Sequence, residues 1–264
     1  SPVALAVVIP ADLQGTERRL RTLLQTDPTD LDVQLELATL FELKSDFPAA
    51  LIGYQEALKL DRSCEDCLMA FVSLLSHCKQ PSDAVRVTER FLERTPTSVM
   101  VTNQLAFLHL QTENYPEVLD LAQKIRQLDR GSATGYQLQA LAHLGLEQLD
   151  EAEFYFKTAL EHDESLSEAH LRLGMMYTRQ PETVDSAARH LRKAIELGLV
   201  HPEVHKDLGH MLVNQSQYRD AVAELHKALD MTSGYAEPYA LLSQAYRGLG
   251  LEDYAEAAAK RFQV

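Results

Sequence analysis

"LDEAEFYFKTALEHD" occupies residues 149–163, and two other stretches share its rhythm: "FPAALIGYQEALKLD" at 47–61 and "YRDAVAELHKALD" at 218–230. The small residue Ala152 gives the register. Ala50, Ala84, Val118 and Ala152 lie 34 residues apart; Ala187 follows after 35, then Ala221 and Ala255 after 34 each. Seven positions on, a second column reads Ala57, Phe91, Ile125, Ala159, Ala194, Ala228 and Phe262. A third, upstream, reads Ala38, Val72, Ala106, Ala140, Gly174, Gly209 and Ser243. Three columns held in phase along most of the chain mark an internal repeat, one structural unit written many times.

Within each period the apolar residues recur at helical spacing, on two successive helices. Small side chains let neighbouring helices approach, and bulky ones between them fill the gaps. Turn signals separate the units: "TDPTD" (26–30), "TPTS" (95–98), "DRGS" (129–132), "HDES" (162–165) and "MTSG" (231–234). These supply N-cap side chains and helix stops. Pro116 and Pro202 suit first helical turns, where the missing N–H costs nothing.

The pattern resembles the tetratricopeptide repeat family, a helix–turn–helix unit of 34 residues. The family favours Leu at position 7, a small residue at 8 and a large one at 11. Small and bulky residues follow at 20 and 24, with Ala at 27 and Pro near 32. Leu37, Ala38, Phe41, Ala50, Tyr54 and Ala57 match in the first full repeat; Leu173, Gly174, Tyr177, Ala187, Leu191 and Ala194 match in the fifth. Tryptophan is absent, Gln139 and His143 replace apolar residues, and only Pro96 fills the late proline position. The resemblance implies an all-α fold, a right-handed α-solenoid of about seven stacked repeats. Repeats are expected at 31–64, 65–98, 99–132, 133–166, 167–201, 202–235 and 236–264. Before them come a partial, helix B-like repeat at 12–30 and an extended apolar segment at 1–11. That segment, "VALAVVI" with Pro10, is expected to cover the first helices, or else to occupy a neighbouring molecule's groove. It has no basic residue before it and does not read as a complete signal peptide. At the other end "AEAAAKRFQV" lacks a polar capping element, so the last helix is expected to meet a second chain or further protein.

Composition narrows the partner. A net charge of −14 argues against a nucleic-acid footprint, which needs a basic surface to displace counterions. No apolar run approaches the roughly 20 residues that span a bilayer. The expected state is soluble, in cytoplasm or periplasm. Three cysteines do not make a disulfide framework. "CEDC" (64–67) opens a helix and reads as packing, with a labile disulfide or a zinc site as alternatives. Cys78 lies 11 residues beyond Cys67, about 16 Å along a helix, too far to share an ion. His201, His205 and His210 do not converge on one helix face with a carboxylate, and His109 and His143 occupy packing columns. No phosphate loop, nucleophile elbow or HExxH pair is present, so neither catalytic residues nor a cofactor are expected.

The resemblance implies that repeat positions 2, 5, 9, 12 and 13 on the A helices face a concave groove. In the middle repeats these are apolar: Phe107, Leu110, Leu141, Leu144, Leu171 and Met175, flanked by Asn103 and Gln137. Toward the C-terminus they become polar and basic: Arg179, Lys206, His210, Asn214 and Arg247. A competing reading has the apolar members simply packing one A helix on the next. The chaperone carboxylate clamp of some family members is absent: only Arg172 falls in place, with Glu168 where its Lys partner belongs. The expected function is a non-catalytic protein–protein interaction scaffold. Its partner would be an apolar or amphipathic peptide or protein segment carrying acidic groups. The alternatives are a substrate-docking or regulatory arm of a larger enzyme, and a self-assembling element that forms homo-oligomers through its terminal repeats.

Overall fold

The computed structural model describes residues 12–178, 183–232 and 236–262. Among them are fifteen α-helices and no strands. They divide into two compact units, one ending at Arg130 and the other beginning at Gly131. Each is a stack of helical hairpins, the α-solenoid fold class. The first unit contains α1 (Leu13–Thr26), α2 (Leu31–Leu43), α3 (Phe47–Leu60), α4 (Glu65–His77), α5 (Pro81–Leu92), α6 (Val99–Gln111) and α7 (Tyr115–Leu128). The second begins with α8 (Ala133–Gly145), α9 (Leu149–His162), α10 (Ser167–Tyr177) and α11 (Val184–Glu196). It continues through α12 (Pro202–Asn214), α13 (Tyr218–Met231), α14 (Glu237–Gly248) and α15 (Glu252–Phe262). The apolar stretch at 3–9 lies outside the described residues, as do Arg179 and the second half of "MTSG".

The ends of the helices follow from side-chain chemistry. Asp30, Ser98 and Ser132 each accept a hydrogen bond from the backbone N–H three residues on, at 3.1, 3.2 and 3.3 Å. Those bonds satisfy one of the N–H groups that a helix start leaves open. Upstream of α2, α4 and α10, the carboxylates of Asp27, Asp61 and Asp163 accept from both the N–H and the hydroxyl of Thr29, Ser63 and Ser165. These Asx turns close the chain between hairpins. Pro116 and Pro202 stand in first helical turns.

Six of the hairpins turn through one left-handed residue, all within the described residues. Ser45, Lys79, Glu113, Glu147 and Ser216 have φ between 56° and 60°, and Gly250 has φ 74°. The next N–H then bonds back to the fifth carbonyl before it, as in Asn114 to His109 and Gln148 to His143, both 2.9 Å. This is the Schellman closure, which satisfies carbonyls left open at a helix end.

Packing obeys the column logic. A Cβ on Gly174 would fall 2.7 Å from Leu191 Cδ2, and one on Gly209 would fall 2.6 Å from Leu225 Cγ. Both glycines stand where the small column meets the bulky column of the following helix, and the leucine occupies the space a methyl would need. On α11, Ala187, Ala188, Leu191 and Ala194 form the buried stripe, at i, i+1, i+4 and i+7 on one face of an amphipathic helix. His109 is buried with Asn114 Nδ2 at 3.3 Å, and the half-buried His143 stacks on Tyr155 and bonds Gln148 at 2.6 Å.

One expectation is corrected. Cys64 and Cys67 are not merely packing residues: their sulfurs are bonded, with Cα atoms 5.3 Å apart. Cys64 is the N-cap of α4 and Cys67 the third residue of that helix. The side chains of these two positions lie on the same side of the helix entrance, so the sulfurs meet.

Candidate functional site

The sequence-derived surface residues are placed unit by unit. In the first unit, α6 carries Asn103, Phe107 and Leu110. Phe107 is 42% exposed, large for a phenylalanine on a packed helix, while Leu110 is half-buried. Asn103 is half-buried too, and its Oδ1 is enclosed with no hydrogen-bond partner among the described residues. An unmet buried acceptor costs free energy.

In the second unit, Gln137, Leu141 and Leu144 on α8 are half-buried, as is Met175 on α10. Leu171 is buried within the core cluster that also holds Tyr177 and Leu208. Its role is therefore packing, whatever lies above it. Leu144 and Met175 are brought together across a cavity of about 190 Å³ between α8, α9 and α10. Leu149 and Met176 complete its apolar lining, and Asp150, Glu153 and Arg172 its polar edge. Apolar lining with a few oriented polar groups is the usual make-up of a binding pocket. Methionine adapts to side chains of different shape.

The polar edge is internally balanced. Glu153 accepts from Lys157 Nζ at 2.6 Å and from the Tyr177 hydroxyl at 2.7 Å. The Lys157 bond, helped by Tyr177 and opposed by burial, holds the Glu153 carboxyl below its ordinary range. Burial, with the Glu153 carboxylate beside it, pushes Tyr177 up. Arg172 bonds Glu168 one helical turn away at 2.7 Å.

Of the basic residues expected near the C-terminal end, Lys206 and His210 fall on α12 and Arg247 on α14. Arg179 lies outside the described residues. Lys206 on α12 is engaged by Asp207 at 3.4 Å and by Glu237, in the first turn of α14, at 3.2 Å. Burial raises the Asp207 carboxyl even with Lys206 beside it. His210 and Asn214 on α12 and Arg247 on α14 are exposed.

A second feature of this unit escapes sequence reasoning. His170 and His190 face each other, Nδ1 to Nδ1, at 2.9 Å, on the wall of a wider cavity of about 540 Å³ edged by Lys157, Arg189 and Lys193. His170 Nε2 lies 3.2 Å from the Glu164 carbonyl oxygen, so in the neutral ring it is the donor there and Nδ1 is the acceptor. The two histidines belong to different helices and different columns, so no spacing in the sequence announces the pair.

Residues 138–202 match the family model described as Tetratricopeptide repeat. No curated protein sequence matches the chain at a significant level. Among solved structures, a tetratricopeptide repeat protein from Parabacteroides merdae is similar, with 18% identity, TM-score 0.63, and 89% of this chain and 92% of that one covered. The APC/C hetero-tetramer Cut9–Hcn1 is 20% identical at TM-score 0.55, over 93% of this chain and 48% of the other. The human IFIT1 dimer with m7Gppp-AAAA is 17% identical at TM-score 0.58, over 95% of this chain and 67% of the other. The chain therefore spans about half the length of the Cut9–Hcn1 chain it matches. The columns in the sequence and the hairpins they build give the chain the fold of tetratricopeptide repeat structures, and residues 138–202 match that repeat's family model.

Proposed function

We propose that the chain is a non-catalytic interaction scaffold that seats a segment of a partner protein on its A helices. One observation carries the reading: Leu144 and Met175, both expected on the groove, line the same apolar cavity. The segment is amphipathic. One apolar side chain enters beside Leu144, Met175 and Met176, and acidic groups face the exposed His210 and Arg247 further along the unit. Lys206 contributes less to this field than its sequence position suggests, because Asp207 and Glu237 already engage it. The IFIT1 structure includes m7Gppp-AAAA, but a chain of net charge −14 supports a protein partner over a polyanion.

The test uses the purified chain as bait, alongside a variant carrying Leu144→Asp and Met175→Asp and another carrying Arg247→Glu. The double variant is expected to lose captured partners, with affinity at least about tenfold weaker, as for removal of a buried anchor. The charge reversal is expected to weaken binding chiefly at low salt. Circular dichroism verifies that both remain folded. Undiminished binding by the folded double variant overturns the reading.

A further inference from the structure

The N-cap column of the A helices reads Asp30, Cys64, Ser98 and Ser132, at intervals of 34 residues. Three of these offer an oxygen to the third N–H of the helix; Cys64 offers sulfur, 3.1 Å from the Cys67 nitrogen. Its sulfur thus occupies a position otherwise filled by an acceptor atom. A thiolate released there keeps that hydrogen bond and sits at the positive end of the α4 dipole. Glu65 and Asp66 in the first turn oppose it. Asp66 is exposed and Glu65 only partly buried, so solvent screens them, whereas the Cys67 N–H is in direct contact.

The two sulfurs differ in access. Cys67 is fully buried and Cys64 is partly exposed. An attacking thiolate can therefore reach Cys64 alone. The remaining cysteine, Cys78, caps the opposite end of α4, about 16 Å from Cys67 at the helical rise, and cannot enter the exchange within one molecule.

We propose that Cys64–Cys67 is a thiol–disulfide exchange site that accepts two electrons from a dithiol, with Cys64 as the entry sulfur. One thiolate of the dithiol attacks Cys64 Sγ. The Cys64–Cys67 bond breaks, its electron pair leaves on Cys67 Sγ, and that sulfur takes up a proton. The second thiol of the donor, deprotonated, attacks its own sulfur in the mixed disulfide and expels Cys64 as a thiolate. The donor leaves as a disulfide, and α4 keeps a capped N-terminus throughout because the Cys64 thiolate still accepts the Cys67 N–H. The site is separate from the groove surface, and its test does not depend on a partner being found.

The full chain, Cys67→Ala and Cys64→Ser are the materials; serine preserves the cap, as at Ser98 and Ser132. Dithiothreitol is the dithiol, Ellman's reagent is the disulfide probe, and Cys78 is the internal reference. Dithiothreitol is expected to reduce the native pair without unfolding the chain, and excess oxidised glutathione to restore it. In Cys67→Ala, Cys64 is expected to react with Ellman's reagent about tenfold faster than Cys78 near neutral pH, its rate profile displaced to lower pH. In Cys64→Ser, Cys67 is expected to stay unreactive while the fold is intact. A Cys64 rate and pH profile no different from those of Cys78 overturns the proposal. So does a native pair that stays as two thiols in oxidised glutathione, or one that resists dithiothreitol until the chain unfolds.

Discussion

Residues 12–130 contain all three cysteines and two histidines, His77 and His109; residues 131–262 contain the other eight histidines and no cysteine. The hairpin turns are the same in both units, and so is the column logic of the cores. What differs is the set of groups placed between helices. In the second unit imidazoles take these positions: His162 stacks on Tyr136, His143 on Tyr155, and His170 meets His190. His205 bonds Glu224 at 2.6 Å. One repeat thus supports two chemistries, because its specification fixes small and bulky columns and leaves the positions between them open. The first unit carries the Cys64–Cys67 bond and the second the imidazoles set between helices.

The largest effect tests whether the two units are also two bodies energetically. Phe156 is fully buried in the second unit beside alanine columns that cannot move to fill its space. Phe156→Ala is expected to remove about 3–5 kcal/mol, the transfer term plus the residual cavity. In a repeat array such damage spreads through neighbouring interfaces. Hydrogen exchange is expected to show protection falling across 131–262 and largely retained over 12–130. An equal fall in both would mean that the array unfolds as one.

A smaller effect separates the units by pH. Burial, then the charges of His170, Arg189 and Lys157, push His190 down to about 4 from its ordinary 6.5. Burial likewise lowers His170. Between these pH values the unfolded chain takes up a proton at His190 that the folded chain refuses, so stability falls as pH drops from 6.5 toward 4. The loss is expected to be about 1–2 kcal/mol, after solvent screening of a ring that is only half-buried. Glu161 and Glu164 line the same cavity and partly offset it. Depressed carboxyls of the first unit act lower: Glu17, held down by Lys44, and Asp27 and Asp61, held down by Thr29 and Ser63. Their stabilisation is complete above their unfolded values, 4.5 and 3.8, and is lost as pH falls through the folded ones. Denaturation followed by circular dichroism from pH 7 to 5 is expected to show a shallower slope for His190→Gln than for the native chain. Identical slopes would remove His190 from the account.

Most of the fold was legible because helix pairing depends on side-chain volume, and volume repeats in the sequence. Ala50, Gly174 and Leu191 could be assigned to the core from the columns alone, and the structure buries all three. The surface was less legible. Nothing in the spacing distinguishes Leu171, which is buried, from Met175, which borders a cavity, because both stand on the inward side of α10. Lys206 looked like an available cation, but its acidic neighbour Glu237 comes from a hairpin 31 residues later. The bond at Cys64 also had a sequence signal, its place in the Asp30, Ser98 and Ser132 column, which acquires meaning once that column is known to cap helices.

The smallest predicted effect concerns a feature shared by both units. The left-handed column at 45, 79, 113, 147, 216 and 250 holds one glycine, Gly250, and five residues that pay a steric cost for their Cβ. Glu113→Gly in the first unit and Glu147→Gly in the second remove that cost, while the freer unfolded chain offsets part of the gain. Each is expected to stabilise its own unit by about 0.5–1 kcal/mol, and Gly250→Ala to destabilise by a similar amount. Urea midpoints for the three variants measure this directly. Since Glu113 and Glu147 have φ of 56° and 60° and the residue after each makes the same closure bond at 2.9 Å, the two gains should agree. A gain in only one unit would show that the side chain there makes compensating contacts, and the units would then differ in their turns as well as in what lies between their helices.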